Sequence, residues 1–112
     1  MVIGGDVHSF WVADLKPDFD DTRSPVVASE LVATSITSRA SAALTRPDAL
    51  LPDNPHVKFA DGSRRGYVRV EVTRSRLTAD LRAVRSVAQP TTEADTLATF
   101  VIEDGRPGAI RA

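Results

Sequence analysis

Apolar and polar residues alternate with a period of two along the middle of the chain, and this pattern predicts β-strands. Three such segments lie close together, at positions 56–60, 67–72 and 77–83, with short turns between them. Side chains on a strand point alternately to its two faces, so each segment has one apolar and one polar face. The three segments therefore predict an antiparallel meander at about residues 56–84, with one face buried and the other in water.

Further strands are predicted on both sides of this meander. β-Branched and aromatic residues are typical of strands, and they are frequent at positions 1–8, 10–15, 26–36 and 97–103. Asp104-Gly105 follows the last of these segments and is typical of a β-hairpin turn. Alanine and leucine between positions 38 and 51 favour one short helix, whose length Pro47 and Pro52 limit. The whole pattern predicts an α+β, β-rich fold.

The first segment predicts a buried strand that ends in an acid and an imidazole, in Gly4-Gly5-Asp6-Val7-His8. Glycine lets the backbone turn sharply or approach a ligand closely. If the chain stays extended here, the side chains of Asp6 and His8 point to the same face and could bind one metal ion or two neighbouring ions. A capping turn with a surface histidine is the alternative interpretation of the same residues.

The segment Gly5-Asp6-Val7-His8 resembles the Gly-Asp-Val-His segment of the PhoD-like alkaline phosphatases, which belong to the calcineurin-like metallophosphoesterase superfamily. The resemblance continues in the same order over positions 5–16, 27–36, 54–59, 65–69 and 104–108. It implies that residues 1–112 are a single partial domain, the C-terminal part of an α/β/β/α sandwich. The upstream N-terminal part of the same domain would then be a partner of this chain.

The same resemblance implies metal-dependent hydrolysis of phosphate monoesters and diesters, with a phosphate ester as substrate. Most members of the superfamily have a Gly-His-x-His pair where this chain has Asp6 and His8. A carboxylate oxygen suits calcium, whereas imidazole suits iron or zinc. The resemblance thus implies iron at His8 and a calcium-type ion at Asp6. The superfamily's other ligands, two aspartates and an asparagine, have no counterpart here, so the isolated chain is expected to be inactive.

For four further residues, the resemblance implies possible contact with the metal ligands or a place in the lining of the pocket. Glu30 or Ser35 could form hydrogen bonds to the metal ligands. For Glu30, the favoured interpretation is that it faces water on a half-exposed strand. His56 is expected to be a partly exposed histidine, or else to lie near the mouth of the pocket. Tyr67 is expected to be packed in the core, or else to donate a hydrogen bond to a substrate.

Three other residues have structural interpretations that compete with functional ones. Arg64 and Arg65 have guanidinium groups that match phosphate geometry, yet in a turn between strands they are expected to be solvated. Trp11 is the single tryptophan and adjoins the motif. It is expected to belong to the core.

Composition excludes several classes of function and leaves localisation open. The net charge of -1 gives no reason to expect general binding to nucleic acid or to an anionic membrane surface. The absence of cysteine excludes disulfides and thiolate metal sites. No apolar run reaches the roughly 20 residues that a membrane helix needs, and no cleavable signal is expected. The family is commonly secreted or found in the cell envelope.

Two alternatives to a phosphatase remain at the level of the sequence. The chain could be a non-catalytic β-rich binding module whose sequence only resembles that of the enzymes, or an inactive gene fragment. Metal-ligand motifs upstream of Met1 would favour the enzyme over both.

Overall fold

The computed structural model describes residues 1–42 and 46–112, which form two four-stranded sheets. In chain order the strands are β1 (Val2–Gly4), β2 (Phe10–Leu15), β3 (Ala28–Val32), β4 (Val57–Asp61), β5 (Gly66–Val72), β6 (Arg76–Val84), β7 (Ala94–Glu103) and β8 (Arg106–Arg111). A 3₁₀-helix, Pro47–Asp53, precedes β4. The predicted β-rich fold is confirmed. In the described part of the chain, no helix is long and apolar enough to cross a membrane.

The two sheets differ in the way the chain runs through them. The first has the strand order β1-β3-β2-β4, in which β1 is parallel to β3 and the other pairs are antiparallel. The second has the order β5-β6-β7-β8 and is a purely antiparallel meander. Asp104-Gly105 forms the tight turn between β7 and β8, with Glu103 opposite Arg106, so the hairpin prediction is confirmed.

The predicted meander at 56–84 is wrong in its first strand. β4 pairs with β2, with Phe10 opposite Asp61, and therefore belongs to the first sheet. The connection at 62–65 carries the chain to the second sheet, whose meander begins at β5 and continues to β8. Alternation of apolar and polar residues shows which face of a strand is buried, but it does not show which strand lies beside it.

The core lies between the two sheets, where large side chains pack against alanines. Its members from the first sheet are Phe10, Val12 and Leu31, and those from the second are Ala79, Leu81, Ala98, Phe100 and Ala109. Phe59 packs against this cluster, with its ring 6.1 Å from that of Phe100 in an edge-to-face arrangement, a favoured geometry for aromatic pairs. The period-2 alternation of the sequence is thus explained by one shared apolar layer.

The predicted helix at 38–51 is only partly testable, because 43–45 lie outside the described residues. The 3₁₀-helix Pro47–Asp53 begins with Pro47 in its first turn and contains Pro52. Proline lacks the N–H that a longer helix needs in its interior, which explains why this segment is short.

The first strand is shorter and more exposed than predicted. β1 is an edge strand of three residues, and Val2 and Ile3 are 46% and 58% exposed. The prediction of a buried strand over 1–8 is therefore wrong for this chain, because β3 is its one neighbour among the described strands. An edge strand presents unpaired backbone groups that can pair with a further strand.

Gly66 is required by a close approach between β5 and β6. A Cβ atom at this position would lie 1.8 Å from the carbonyl oxygen of Arg82 and 2.9 Å from its carbonyl carbon. We expect Gly66→Ala to lower the free energy of unfolding by about 2 kcal/mol or more, because backbone atoms must move to relieve the overlap. Gly4→Ala is the control, since a Cβ there meets nothing within 4 Å. Urea denaturation followed by Trp11 fluorescence measures both, and equal midpoints would contradict the prediction.

A second prediction concerns the outer face of the second sheet, where Asp80 accepts hydrogen bonds from Thr99 Oγ1 at 2.7 Å and Arg69 Nη2 at 2.6 Å. The hydrogen bond from Thr99 is the main cause of a lowered Asp80 pKa, and Arg69 adds to it. A carboxyl group with a lowered folded-state pKa stabilises the fold fully above its unfolded pKa, about 3.9 for aspartate. That stability is lost as the pH falls through the lower, folded-state value.

We therefore expect Thr99→Val to raise the Asp80 pKa toward its ordinary value and to reduce the loss of stability between pH 5 and pH 3. Carboxyl ¹³C NMR titration and urea midpoints measure the two effects. Thr96→Val is the control, because Thr96 lies on the same strand and accepts a hydrogen bond from Arg82 instead of donating to a carboxylate. The same shift in both variants would argue against a specific role for Thr99.

Candidate metal-binding site

The segment between β1 and β2, residues 5–9, reverses the chain at the end of β3 and is called the motif loop below. β1 and β2 lie on opposite sides of β3, one parallel and one antiparallel to it. The motif loop must therefore turn while it crosses from one side to the other. It does so with left-handed backbone at Asp6 (φ 77°) and His8 (φ 58°), a region in which aspartate and histidine are enriched among non-glycine residues.

This geometry corrects the prediction of an extended backbone through Asp6 and His8. The strand ends at Gly4, and the two side chains leave a turn instead of one face of a strand. The turn is made by the acid and the histidine, and not by a left-handed glycine, since neither Gly4 nor Gly5 has a positive φ. Asp6 is exposed and His8 is half-buried.

The imidazole of His8 is held by a backbone carbonyl. Its Nδ1 atom lies 2.8 Å from the carbonyl oxygen of Arg39. A carbonyl oxygen can only accept a hydrogen bond, so Nδ1 carries the proton and donates it. In the neutral imidazole the Nε2 atom then keeps its lone pair, which is the form of histidine that binds a metal ion. Metal-ligating histidines usually donate their other ring N–H to a carbonyl or carboxylate in this manner.

Arg65 is the buried side chain that joins the motif loop to its surroundings. It is 9% exposed, and its Nη1 donates to the carbonyl oxygen of His8 (2.9 Å), to Ser35 Oγ (2.7 Å) and to the carbonyl oxygen of Ser38 (2.8 Å). Its Nη2 donates to the carbonyl oxygen of Gly62 at 2.7 Å. All of these acceptors are neutral oxygens. Three segments distant in sequence therefore meet at one guanidinium group.

The charge of Arg65 is maintained despite its burial. Burial lowers the pKa of its guanidinium, and the carboxylate of Asp61 acts in the opposite direction. The ordinary arginine pKa lies above about 12, so the group stays protonated in the neutral range. The expectation that Arg65 is solvated is wrong, whereas Arg64 is exposed as predicted. Hydrophobic patterning could not identify Arg65, because its partners come from other parts of the chain; the family-like order Arg65-Gly66-Tyr67 was the available signal.

The other predicted site residues do not form one cluster. Ser35 lies beside Arg65, and its Oγ also donates a short hydrogen bond to the carbonyl oxygen of Ser38. Tyr67 is 41% exposed, so the expectation that it is packed in the core is wrong. It lies on the outer face of β5, because its neighbour Val68 packs against the core. Glu30 and His56 lie elsewhere, on a shallow cavity of the first sheet.

This cavity has a volume of 410 Å³ and includes Val7 of the motif loop, Glu30 and His56 in its lining. His56 is partly exposed, as predicted, and its ring centroid is 4.8 Å from that of Phe19. Trp11 also lines the cavity and donates from Nε1 to Ser9 Oγ at 2.7 Å. Trp11 is therefore a half-buried residue of the outer face, and the expectation that it belongs to the core is wrong.

The donor chemistry of the motif loop suits metal ions, although the donors are few. Asp6 supplies carboxylate oxygens and His8 supplies Nε2, which match the preferences of calcium-type and transition-metal ions. Among residues 1–42 and 46–112, no group of three or more histidine, aspartate or glutamate side chains could hold a metal ion. The assignment of Asp6 and His8 as ligands remains a prediction.

Comparisons with known proteins identify the family of this chain. The family model of the PhoD-like phosphatase matches residues 1–81. The chain belongs to the PhoD-like phosphatase family. It is 39% identical over 110 residues to alkaline phosphatase D of Bacillus subtilis (strain 168), covering 96% of this chain and 19% of that protein. A solved structure of PhoD has a TM-score of 0.83 and 35% identity over 99% of this chain and 22% of that chain.

Membership of the PhoD-like family confirms the fold class and the hydrolase ancestry that the motif suggested. The chain spans 19% and 22% of the lengths of these two relatives. The buried Arg65, the motif loop and β1 to β5 all lie within the residues that the family model matches.

We expect loss of the Arg65 side chain to destabilise this PhoD-like chain strongly. Arg65→Met removes the donors to the carbonyl oxygens of His8 and Gly62 while it preserves apolar volume. Hydrogen bonds to charged groups contribute roughly 1.5–3 kcal/mol, so the free energy of unfolding should fall by at least about 2 kcal/mol. Arg64→Met is the matched control, and an exposed site should change stability by less than about 0.5 kcal/mol. Urea midpoints that fall equally in both variants would contradict this prediction.

Proposed function

We propose that this chain contributes Asp6 and His8 to the metal centre of a PhoD-like phosphatase that hydrolyses phosphate monoesters and diesters. The observation that carries the proposal is the hydrogen bond from His8 Nδ1 to the Arg39 carbonyl oxygen at 2.8 Å. In the neutral ring, Nε2 is then the nitrogen whose lone pair can bind a metal ion. This is the usual arrangement around a metal-bound histidine.

The two side chains would serve different ions. His8 offers a nitrogen that suits iron, and Asp6 offers a carboxylate that suits calcium. When bound, such a pair of ions would polarise the phosphoryl group and supply an activated water. The role of this chain is to orient the His8 ring through the carbonyl of Arg39, so that its neutral form presents Nε2, and to present the exposed carboxylate of Asp6.

The chain by itself should not hydrolyse phosphate esters. Two donors do not satisfy the six to eight oxygen ligands of a calcium ion or the charge of a dinuclear site. The described residues offer no third histidine or carboxylate near them that would complete a metal-binding group. The remaining ligands would come from another part of the same domain.

The proposal is tested in a chimaera in which this chain replaces the matching segment of Bacillus subtilis alkaline phosphatase D, to which it is 39% identical. We expect the chimaera to bind iron and calcium and to hydrolyse p-nitrophenyl phosphate. His8→Ala should reduce iron content and lower activity by more than about tenfold. Loss of a residue that only hydrogen-bonds a metal ligand already costs about 10–100-fold, and loss of the ligand itself should cost at least as much. Metal analysis by mass spectrometry and an activity assay measure the two effects.

His56→Ala is the matched control, because His56 is the other histidine of the chain and its ring contacts Phe19. This variant should keep its iron. An active chimaera whose His8→Ala variant retains full iron content would overturn the proposal. It would favour the alternative of a β-rich module that contributes no metal ligand.

A further inference from the structure

The orientation of His8 depends on two separate anchors. Its main-chain carbonyl accepts a hydrogen bond from Arg65 Nη1 at 2.9 Å, and its ring donates from Nδ1 to the carbonyl oxygen of Arg39 at 2.8 Å. The first anchor fixes the motif loop, and the second fixes the rotation and the tautomer of the imidazole. Both must hold if Nε2 is to face a constant direction.

Both anchors lead to the same guanidinium group. Arg65 Nη1 also donates to Ser35 Oγ at 2.7 Å and to the carbonyl oxygen of Ser38 at 2.8 Å. Ser38 directly precedes Arg39, whose carbonyl holds the ring. Arg65 therefore holds the segment 35–39 and the motif loop against each other. Movement of that segment would carry the Arg39 carbonyl away from Nδ1.

The positions of the hydrogen-bond acceptors explain why residue 65 is an arginine. The acceptors of Arg65 lie on three segments, at His8, at 35–38 and at Gly62. A planar guanidinium presents donors in several fixed directions, whereas a lysine ammonium presents three donors from one point. Lysine could preserve the charge but could not reach all of these oxygens together.

We propose that Arg65 is a positioning residue, which holds segment 35–39 against the motif loop so that His8 is fixed with Nδ1 protonated and Nε2 free. The importance of a free Nε2 rests on the proposed function, but the effect of Arg65 on the tautomer does not. Arg65 acts through backbone oxygens and Ser35, and it contacts His8 only at the main chain.

The tautomer can be measured directly in the 112-residue chain without metal. Long-range ¹H–¹⁵N NMR at pH 8 distinguishes the protonated ring nitrogen from the bare one. We expect a single Nδ1–H form at His8 in the unsubstituted chain and a mixture of tautomers in Arg65→Lys. Arg64→Lys is the matched control and should leave His8 unchanged, since Arg64 is exposed. His56 is an internal reference whose ring signals should not move in a folded variant.

Ser35→Ala provides a second variant that keeps the arginine. It removes the oxygen that accepts from Arg65 and donates to the Ser38 carbonyl, so His8 should shift toward the same mixture of tautomers, to a smaller extent. If Arg65→Lys fails to fold, Ser35→Ala decides the question: a mixture supports the proposal, and an unchanged Nδ1–H form overturns it. A folded Arg65→Lys chain that keeps the pure Nδ1–H form also overturns it.

A parallel measurement separates this inference from the proposed function. In the chimaera, Arg65→Lys should weaken iron binding by about 10–100-fold, as loss of outer-shell partners does, and Arg64→Lys should not. A tautomer that depends on Arg65, combined with iron that does not depend on His8, would leave the positioning role intact and refute the metal role. A tautomer that is independent of Arg65 refutes the positioning role whatever the iron content.

Discussion

The buried guanidinium of Arg65 is the interaction on which the arrangement around the motif loop depends. Arg65 immediately precedes β5, and its carbonyl oxygen accepts a hydrogen bond from the N–H of Val84 at 2.9 Å, which connects it to the second sheet. Its side chain reaches the motif loop of the first sheet. The next residue, Gly66, donates its N–H to the carbonyl oxygen of Ser35 at 3.0 Å. The two sheets, the motif loop and the segment that contains Ser35 therefore meet at Arg65 and Gly66.

A second cation plays a comparable role toward the other end of β2. Lys58 Nζ lies 3.1 Å from the carboxylate of Asp14, a buried residue of β2. The same Nζ donates to the carbonyl oxygen of Ala109 on β8. This contact connects the two sheets, as Arg65 does. Lys58 is exposed, whereas Arg65 is buried among neutral oxygens, so the loss of acceptors around Arg65 is the more costly change.

The sequence predicted the strands better than it predicted their neighbours. The segment 10–15 coincides with β2 (Phe10–Leu15), and the hairpin at Asp104-Gly105 is present, because alternation and turn residues act locally. The assignment of β4 to the meander failed because strand pairing is a tertiary property. The exposure of Tyr67 was predictable in principle, since Val68 and Val70 of the same strand face the core. The burial of Arg65 was not predictable. Its acceptors lie up to 57 residues away, and most of them are main-chain oxygens, which the pattern of side chains does not encode.

The motif loop shows why a family-like segment can be recognised in a sequence while its geometry cannot. The backbone reverses at Asp6 and His8 because β1 and β2 flank β3 with opposite directions, a constraint set by β3, some 20 residues later. Left-handed backbone at non-glycine residues costs free energy and persists only where surrounding contacts determine it. Those contacts are the hydrogen bonds from Arg65 to the His8 carbonyl and from His8 to the Arg39 carbonyl. The orientation of the His8 imidazole is thus determined by backbone oxygens of this chain, through residues that the motif itself does not contain.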